Sequence, residues 1–375
     1  MSLFDVIEMQ PRAWSVLARS FTSDRLASAY LLTGAEGLGH WPLAVAFAAL
    51  LNCEQPRTLS DGIPAPCGTC PACRNIAGIN FEGLLPVVPI PPHKSETQLI
   101  DFTNEILQQL REEPFRILTS SENTTIPIAT ARKVKATVAR RAAPGVKRVV
   151  LFHRMERMRQ GSADALLKLL EEPPADTVLV LTTSQPEALL PTILSRCQRI
   201  RLQRVSSDLV TAYLRKVTEV SETQALQKAR LSEGNPGRAL ALLDIDDTGE
   251  ESRRAIAFQL FRSLFTDSGP SVAALFTELV DNRNRGAAEA VLVAWQSFLR
   301  DYLWLTGTGE DEAVANFDLR GELSRLTSAP LPADVVLAMK DRIKNALADL
   351  RRNTHIQLGL TALALELRTI IRKAA

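Results

Sequence analysis

No apolar run in this 375-residue chain approaches the ~18 residues that a membrane-crossing helix needs, so no helical span is expected. The opening residues, Met1-Ser2-Leu3-Phe4-Asp5, lack the basic and apolar segments of a signal peptide, and the expected location is the cytoplasm. A dominant charge is missing too. The formal net charge is +2, so any contact with nucleic acid has to come from a local patch rather than from a basic molecule as a whole. Cysteine is scarce, five in all, yet four of the five fall within residues 53–73, and in a reducing compartment such clustering favours a metal site over disulfides. Repeats and low-complexity tracts are absent. What remains, 46% hydrophobic and 23% charged residues, is ordinary globular composition, enough for two or three domains at about 100–200 residues each.

The apolar run Ala29–Thr33 leads through the turn 34–39 into an alanine-rich helix ending near Leu51, which is a strand, loop and helix in succession. Strand-like runs recur at Arg148–Phe152 and at 177–182, separated by a helical segment over 162–170 and the breaker Pro173-Pro174. Strands alternating with helices predict a parallel, doubly wound α/β sheet. After about Gln203 the strand signals fade, and 207–243 reads as a small helical unit with a turn at Gly234-Asn235-Pro236-Gly237. Beyond Asp247 the pattern is helical. Val291, Trp295, Phe298, Tyr302 and Leu305 share one face, as do Ile356, Leu360, Leu363, Leu367 and Ile370, the stripes of a bundle core. Residues 111–121 and 306–313 read as loops.

Four constellations bear on chemistry. Gly34, Gly37 and Gly39 have the spacing of a phosphate-binding loop, but His40 stands where Lys must reach the phosphates and Trp41 where Ser or Thr must ligate magnesium. By itself such a run is equally a plain glycine turn. The strand Arg148–Phe152 ends in His153 and Arg154, where nucleotide hydrolysis needs Asp to hold the metal and Glu to orient water. The third constellation runs Ala165-Leu166-Leu167-Lys168-Leu169-Leu170-Glu171-Glu172-Pro173-Pro174, then Leu189-Leu190-Pro191-Thr192-Ile193-Leu194-Ser195-Arg196-Cys197-Gln198. The fourth is Cys53, Cys67, Cys70 and Cys73, whose soft thiolates and two-residue spacings suit tetrahedral zinc in a structural role. Separately, residues 132–159 carry ten Lys or Arg against the single acid Glu156. That run is either a solvated face or a phosphate-backbone contact, with Arg132, Lys133 and Lys135 the DNA-binding candidates.

The third constellation, with the glycine loop and the cysteine cluster, closely resembles the clamp-loader subunits of bacterial DNA polymerase III, which are AAA+ proteins. The match is densest over 25–82 and 145–204. It implies an AAA+ core over 1–204 with a zinc module inserted at 51–80, a helical lid over 205–246 and an all-α collar over 247–375. It implies for Arg196, within the Ser195-Arg196-Cys197 element, the role of an arginine finger acting on ATP held by a neighbouring subunit. Thr182, Thr183 and Ser184 fall at the family's sensor-1 position and Gly237-Arg238 at its sensor-2 turn. With His40, Trp41, His153 and Arg154 in place of the chemistry, the chain resembles the delta-prime-like, non-hydrolysing members, so neither bound ATP nor intrinsic ATPase activity is expected. The implied partners are delta and gamma/tau-like subunits in a hetero-oligomeric ring and, through the complex, the sliding clamp and primed DNA. Two alternatives stand beside this: an ATPase motor subunit of the same loader, and an unrelated zinc-dependent DNA-binding protein. Residues 93–121 depart from the family and read as an insertion, and Asn80-Phe81-Glu82 replaces a common His-Pro-Asp.

Overall fold

The computed structural model describes residues 3–23, 25–92, 95–118, 124–140, 142–158, 167, 169–174, 176–244, 250–266, 268–279, 285–307, 314–350 and 355–374. Ala165, Leu166, Lys168, Arg141, Arg159 and most of the expected helix over 162–170 lie outside them. So do His93, Ser121, Asp247, the loop residues 308–313, and Asn353 near the C-terminal helix.

Five parallel strands form the central sheet: β1 Ala29–Thr33, β4 Leu84–Val87, β5 Arg148–Phe152, β6 Thr177–Thr183 and β7 Gln198–Arg201. Their order is β4-β5-β6-β1-β7, a parallel, doubly wound sheet as expected, with a strand order that the sequence pattern leaves open. Burial explains which strands are central. All of β5 and β6 and four of the five residues of β1 are buried, as expected of a sheet covered on both faces, whereas β7 at the edge buries only Ile200. The helix His40–Leu51 has all twelve residues buried. Its four alanines let neighbouring elements approach closely, and a helix that is apolar all round belongs in an interior.

The excursion after this helix holds the short antiparallel pair β2 Arg57–Thr58 and β3 Pro64–Ala65, then the helix Pro71–Ala77. The inserted stretch contains a 17-residue helix, Glu96–Glu112, capped where Ser95 Oγ accepts the Gln98 N–H at 3.2 Å. Residues 111 and 112 therefore end a helix rather than begin a loop. Across the chain, residues group into two compact units: Met1–Ala225 with Ser232–Ala241, and Leu226–Leu231 with Leu242–Ala375.

Among its described residues the second unit has helices and no strand, including Glu250–Thr266, Arg285–Gly307, Ala333–Leu350 and Ile356–Ala374. Val291, Trp295, Phe298 and Tyr302 are buried in its core as the stripe predicts, with Leu305 packed at the margin. Trp295 Nε1 donates to Ala257 O at 2.9 Å, so its one polar atom is satisfied in the interior. Asp301, fully buried, accepts from Ala315 N at 3.2 Å, Asn316 N at 2.7 Å and Asn316 Nδ2 at 2.6 Å, and so fastens the chain that follows the long helix. An Asp301→Ala variant strands these buried donors and is expected to destabilise this unit by about 3 kcal/mol, read as a lower urea midpoint. An unchanged midpoint would show that the network contributes nothing.

Candidate functional site

The glycine loop leaves the carboxyl end of β1, where open α/β sheets bind ligands, and feeds the amino end of the helix His40–Leu51. Gly39 caps that helix at φ 99°, a left-handed conformation that side chains seldom adopt. The crevice beside it is lined by Glu36, His40, Trp41, Phe115, His153 and Arg154 among others, and its cavity amounts to about 30 Å³. That is room on the scale of one to three water molecules at about 10–15 Å³ each.

His40 and Trp41 turn inward and are buried, and Trp41 meets the His153 ring edge-to-face at 5.4 Å. Burial lowers His40 to about 4, and burial, with the nearby charge of Arg154, lowers His153 to about 3. Both rings are neutral at pH 7 and offer no charge to a phosphate. Arg154 follows β5 with φ 56°, a strained conformation for a side-chain-bearing residue. Its guanidinium lies in the crevice, 3.3 Å from Glu36 Oε1 and 3.9 Å from Glu156 Oε1, and donates to Leu118 O at 3.3 Å. The positive charge that the sequence sets at the metal position is thus matched by two glutamates. Burial raises Glu36 above the usual carboxylate range even though Arg154 pulls it down.

Thr182, Thr183 and Ser184 are engaged within the chain. Thr182 Oγ1 accepts the Arg154 N–H at 3.0 Å and lies 3.0 Å from His153 Nδ1. Thr183 Oγ1 and Ser184 Oγ donate to the two oxygens of Glu156, at 2.7 and 3.2 Å. Glu36, Glu156 and Phe115 are not among the candidate site residues that the sequence offers; Glu36 and Phe115 line this crevice as the histidines do, and Glu156 lies behind it against Arg154, Thr183 and Ser184.

The four cysteine sulfurs converge, all within 4.8 Å of one another, with Cys67 and Cys73 Sγ 3.9 Å apart. A tetrahedral zinc with Zn–S near ~2.3 Å sets sulfurs about 3.8 Å apart, so the four thiols fit that ion. Backbone N–H groups point at the sulfurs, from Cys67 to Cys53 at 3.3 Å, from Cys70 to Cys67 at 3.3 Å and from Cys73 to Cys70 at 3.4 Å. The donors from Cys70 and Thr69 bring Cys67 down to about 6, while burial pushes Cys53 and Cys73 up. The β2–β3 pair occupies the long spacing between Cys53 and Cys67.

Arg196 stands apart from both places. It follows the short helix Pro191–Leu194, is about a third exposed, donates to Thr192 O at 3.0 Å and pairs with Glu171 Oε1 at 2.6 Å. A surface pair of this kind contributes ~0–1 kcal/mol and does not fix the side chain. Ser195 Oγ donates to Thr192 O, and half-buried Cys197 has its thiol pushed up to about 11 by burial. Arg132, Lys133 and Lys135 are exposed on the helix Ile128–Val138. Two members of the basic run are not on the surface. Arg148 is buried and caps that same helix through Val138 O at 3.1 Å and Arg140 O at 2.8 Å, and Arg154 lies in the crevice.

The two neutral histidines make stability depend on pH. Each has a folded pKa below its ordinary 6.5, so above that value neither contributes, and below it the unfolded chain takes up protons that the fold refuses. Stability is expected to fall by about 1.4 kcal/mol per pH unit per histidine, from near 6.5 down towards about 4 for His40 and about 3 for His153. Urea unfolding at about pH 6 and about pH 4.5 checks this: His40→Gln and His153→Asn each flatten the slope, and unaltered slopes would contradict it.

A family model described as DNA polymerase III, delta subunit, matches residues 9–206. The chain is 28% identical over 310 residues to subunit tau of DNA polymerase III of Escherichia coli, an alignment covering 79% of this chain and 42% of that protein. It is 28% identical over 262 residues to subunit delta' of Bacillus subtilis, covering 70% and 67%, and 33% identical over 193 residues to subunit delta' of Pseudomonas aeruginosa, covering 52% and 47%. The chain thus spans under half the length of the tau subunit that it matches.

Proposed function

The chain belongs to the DNA polymerase III delta-subunit family, and within it we propose that it is a delta-prime-like clamp-loader subunit that neither binds nor hydrolyses ATP. One observation carries this reading: the crevice where a nucleotide's phosphates would lie is already filled, by Trp41, by two neutral histidines and by an arginine whose charge two glutamates match. A triphosphate would meet the Glu36 carboxylate and an arginine already paired with it, and phosphoryl transfer depends above all on electrostatic stabilisation. The similarity to tau raises the motor-subunit reading, and magnesium-ATP uptake is the property that separates the two.

In this role the AAA+ core, lid and collar act as a scaffold in a hetero-oligomeric ring with delta and gamma/tau-like subunits in the cytoplasm, serving the sliding clamp and primed DNA. Arg196 is the group offered to the neighbour. It is tethered by contacts open to solvent, the pair with Glu171 and a hydrogen bond to Thr192 O, so it can turn to a phosphoryl oxygen across an interface, where an arginine is worth ~10³–10⁵ in rate in well-studied cases. Exposed Arg132, Lys133 and Lys135 supply phosphate-backbone contact, with strong salt dependence.

Cys53, Cys67, Cys70 and Cys73 hold one structural zinc, which folds a module with few apolar residues of its own. Elemental analysis of protein purified without chelator is expected to find one zinc per chain, lost in Cys70→Ser; full metal content in that variant would rule out this ligand set.

The functional test is steady-state ATPase of the reconstituted loader with clamp and primed DNA. Arg196→Ala is expected to leave assembly intact and to slow turnover at least tenfold, within the usual range for such a finger. A normal rate with assembly verified would refute the trans-acting role. Micromolar magnesium-ATP affinity of the isolated chain by calorimetry would refute its silence.

A further inference from the structure

The crevice has an occupant supplied by the chain itself. The stretch 114–118 follows the inserted helix Glu96–Glu112 and runs between the glycine loop and the turn 235–237. Phe115 is 2% exposed, and its ring lies 4.9 Å from that of Tyr213, a buried residue of the helix Ser207–Val217. Loop and turn are also joined directly. Gly237 N donates to Gly37 O at 3.0 Å, and Asn235 Nδ2 donates to Glu36 O at 2.7 Å.

Glycine makes these approaches possible. A Cβ on Gly39 would stand 2.7 Å from Phe115 Cε1, and one on Gly37 would stand 2.4 Å from Asn235 Oδ1 and 3.1 Å from Ile117 Cγ1. A Cβ on Gly237 would come within 2.2 Å of the Phe115 carbonyl oxygen, which is backbone and has no rotamer by which to give way. Loop, turn and inserted segment therefore close on one another at three points where no side chain fits. The far end of the segment is tied as well, because Leu118 O accepts from Arg154.

We propose that the segment 114–118 is a built-in substitute for ligand, with Phe115 and Ile117 holding the glycine loop to the lid helices as a bound nucleotide would otherwise have to. It deepens the reading that this crevice takes no nucleotide, and it assigns the insertion a purpose: the lid helices Ser207–Val217 and Pro236–Asp244 keep one position whatever the nucleotide supply. Phe115 is a positioning residue in this account. It touches no reacting atom.

Hydrogen exchange of the full chain tests the proposal. In the wild type, millimolar magnesium-ATP is expected to leave amide exchange in the helices Ser207–Val217 and Pro236–Asp244 unaltered. Phe115→Ala removes a core-sized ring and is expected to speed exchange in those helices and in the loop 34–39 by about tenfold or more, with β5 unaffected. Exchange in the lid helices within about twofold of wild type in Phe115→Ala would overturn the proposal, as would a lid in the wild type that tightens on adding ATP. Should Phe115→Ala fail to fold, Phe115→Leu keeps most of the volume and is expected to give a smaller rise confined to the same segments; a rise spread evenly over the chain would count against it. Calorimetric uptake of ATP with the Phe115 response intact would sink the silence of the site and leave the segment's role standing.

Discussion

Arg154 brings a full positive charge into a crevice at the carboxyl end of the sheet, and that charge has to be matched. A buried cation without partners costs several kcal/mol, and removing one partner of a buried pair costs about 3–5 kcal/mol. Glu36 from the glycine loop and Glu156 from the turn after β5 supply the match. Much else follows from their commitment. Glu36 is held to the crevice, so the loop that bears it has one shape; Glu156 then draws in Thr183 and Ser184, which fixes the end of β6. The polar groups that a nucleotide-binding relative would present to ligand are spent on one another.

Three strands of the sheet, β1, β5 and β6, were legible because each is short and apolar, with Gly34 after β1 and Pro173-Pro174 before β6; β4, Leu84–Val87, is broken by Pro86, and β7, Gln198–Arg201, has one apolar residue, so neither carried the signal. The cysteine cluster was legible for a different reason. Sulfur chemistry needs only local spacing, and the spacing is in the sequence. The helix Glu96–Glu112 carried its own signals, an amide-capping Ser95 and apolar residues at Leu99, Phe102, Ile106 and Leu110, yet a comparison with family pattern passes over a stretch where that pattern stops. Phe115 had no signal at all. Its importance rests on two glycines far away in the chain, Gly39 and Gly237, and a lone aromatic residue after a helix does not announce what will close around it.

Charge counting gave a mixed result for a physical reason. A run of ten basic residues reads as one patch only while every side chain is assumed to reach water. Arg148 instead turns in to accept the role of helix cap, donating to the carbonyls that end Ile128–Val138, and Arg154 is drawn to its glutamates. Exposed Arg132, Lys133 and Lys135 therefore depend on buried Arg148 for the helix end that presents them. Two residues of the same type, a few positions apart, serve surface electrostatics and interior architecture.

The pair between Arg196 and Glu171 has a kinetic meaning. Exposed side chains exchange rotamers in picoseconds to nanoseconds, and a pair open to solvent is loosened further at physiological ionic strength, where the Debye length is about 8 Å. Such a parked guanidinium samples its alternatives far faster than any domain or subunit moves. Its departure from Glu171 is never the slow event, so the tempo of whatever Arg196 takes part in is set by the approach of the acceptor, and the resting contact works as a holding position without a latch.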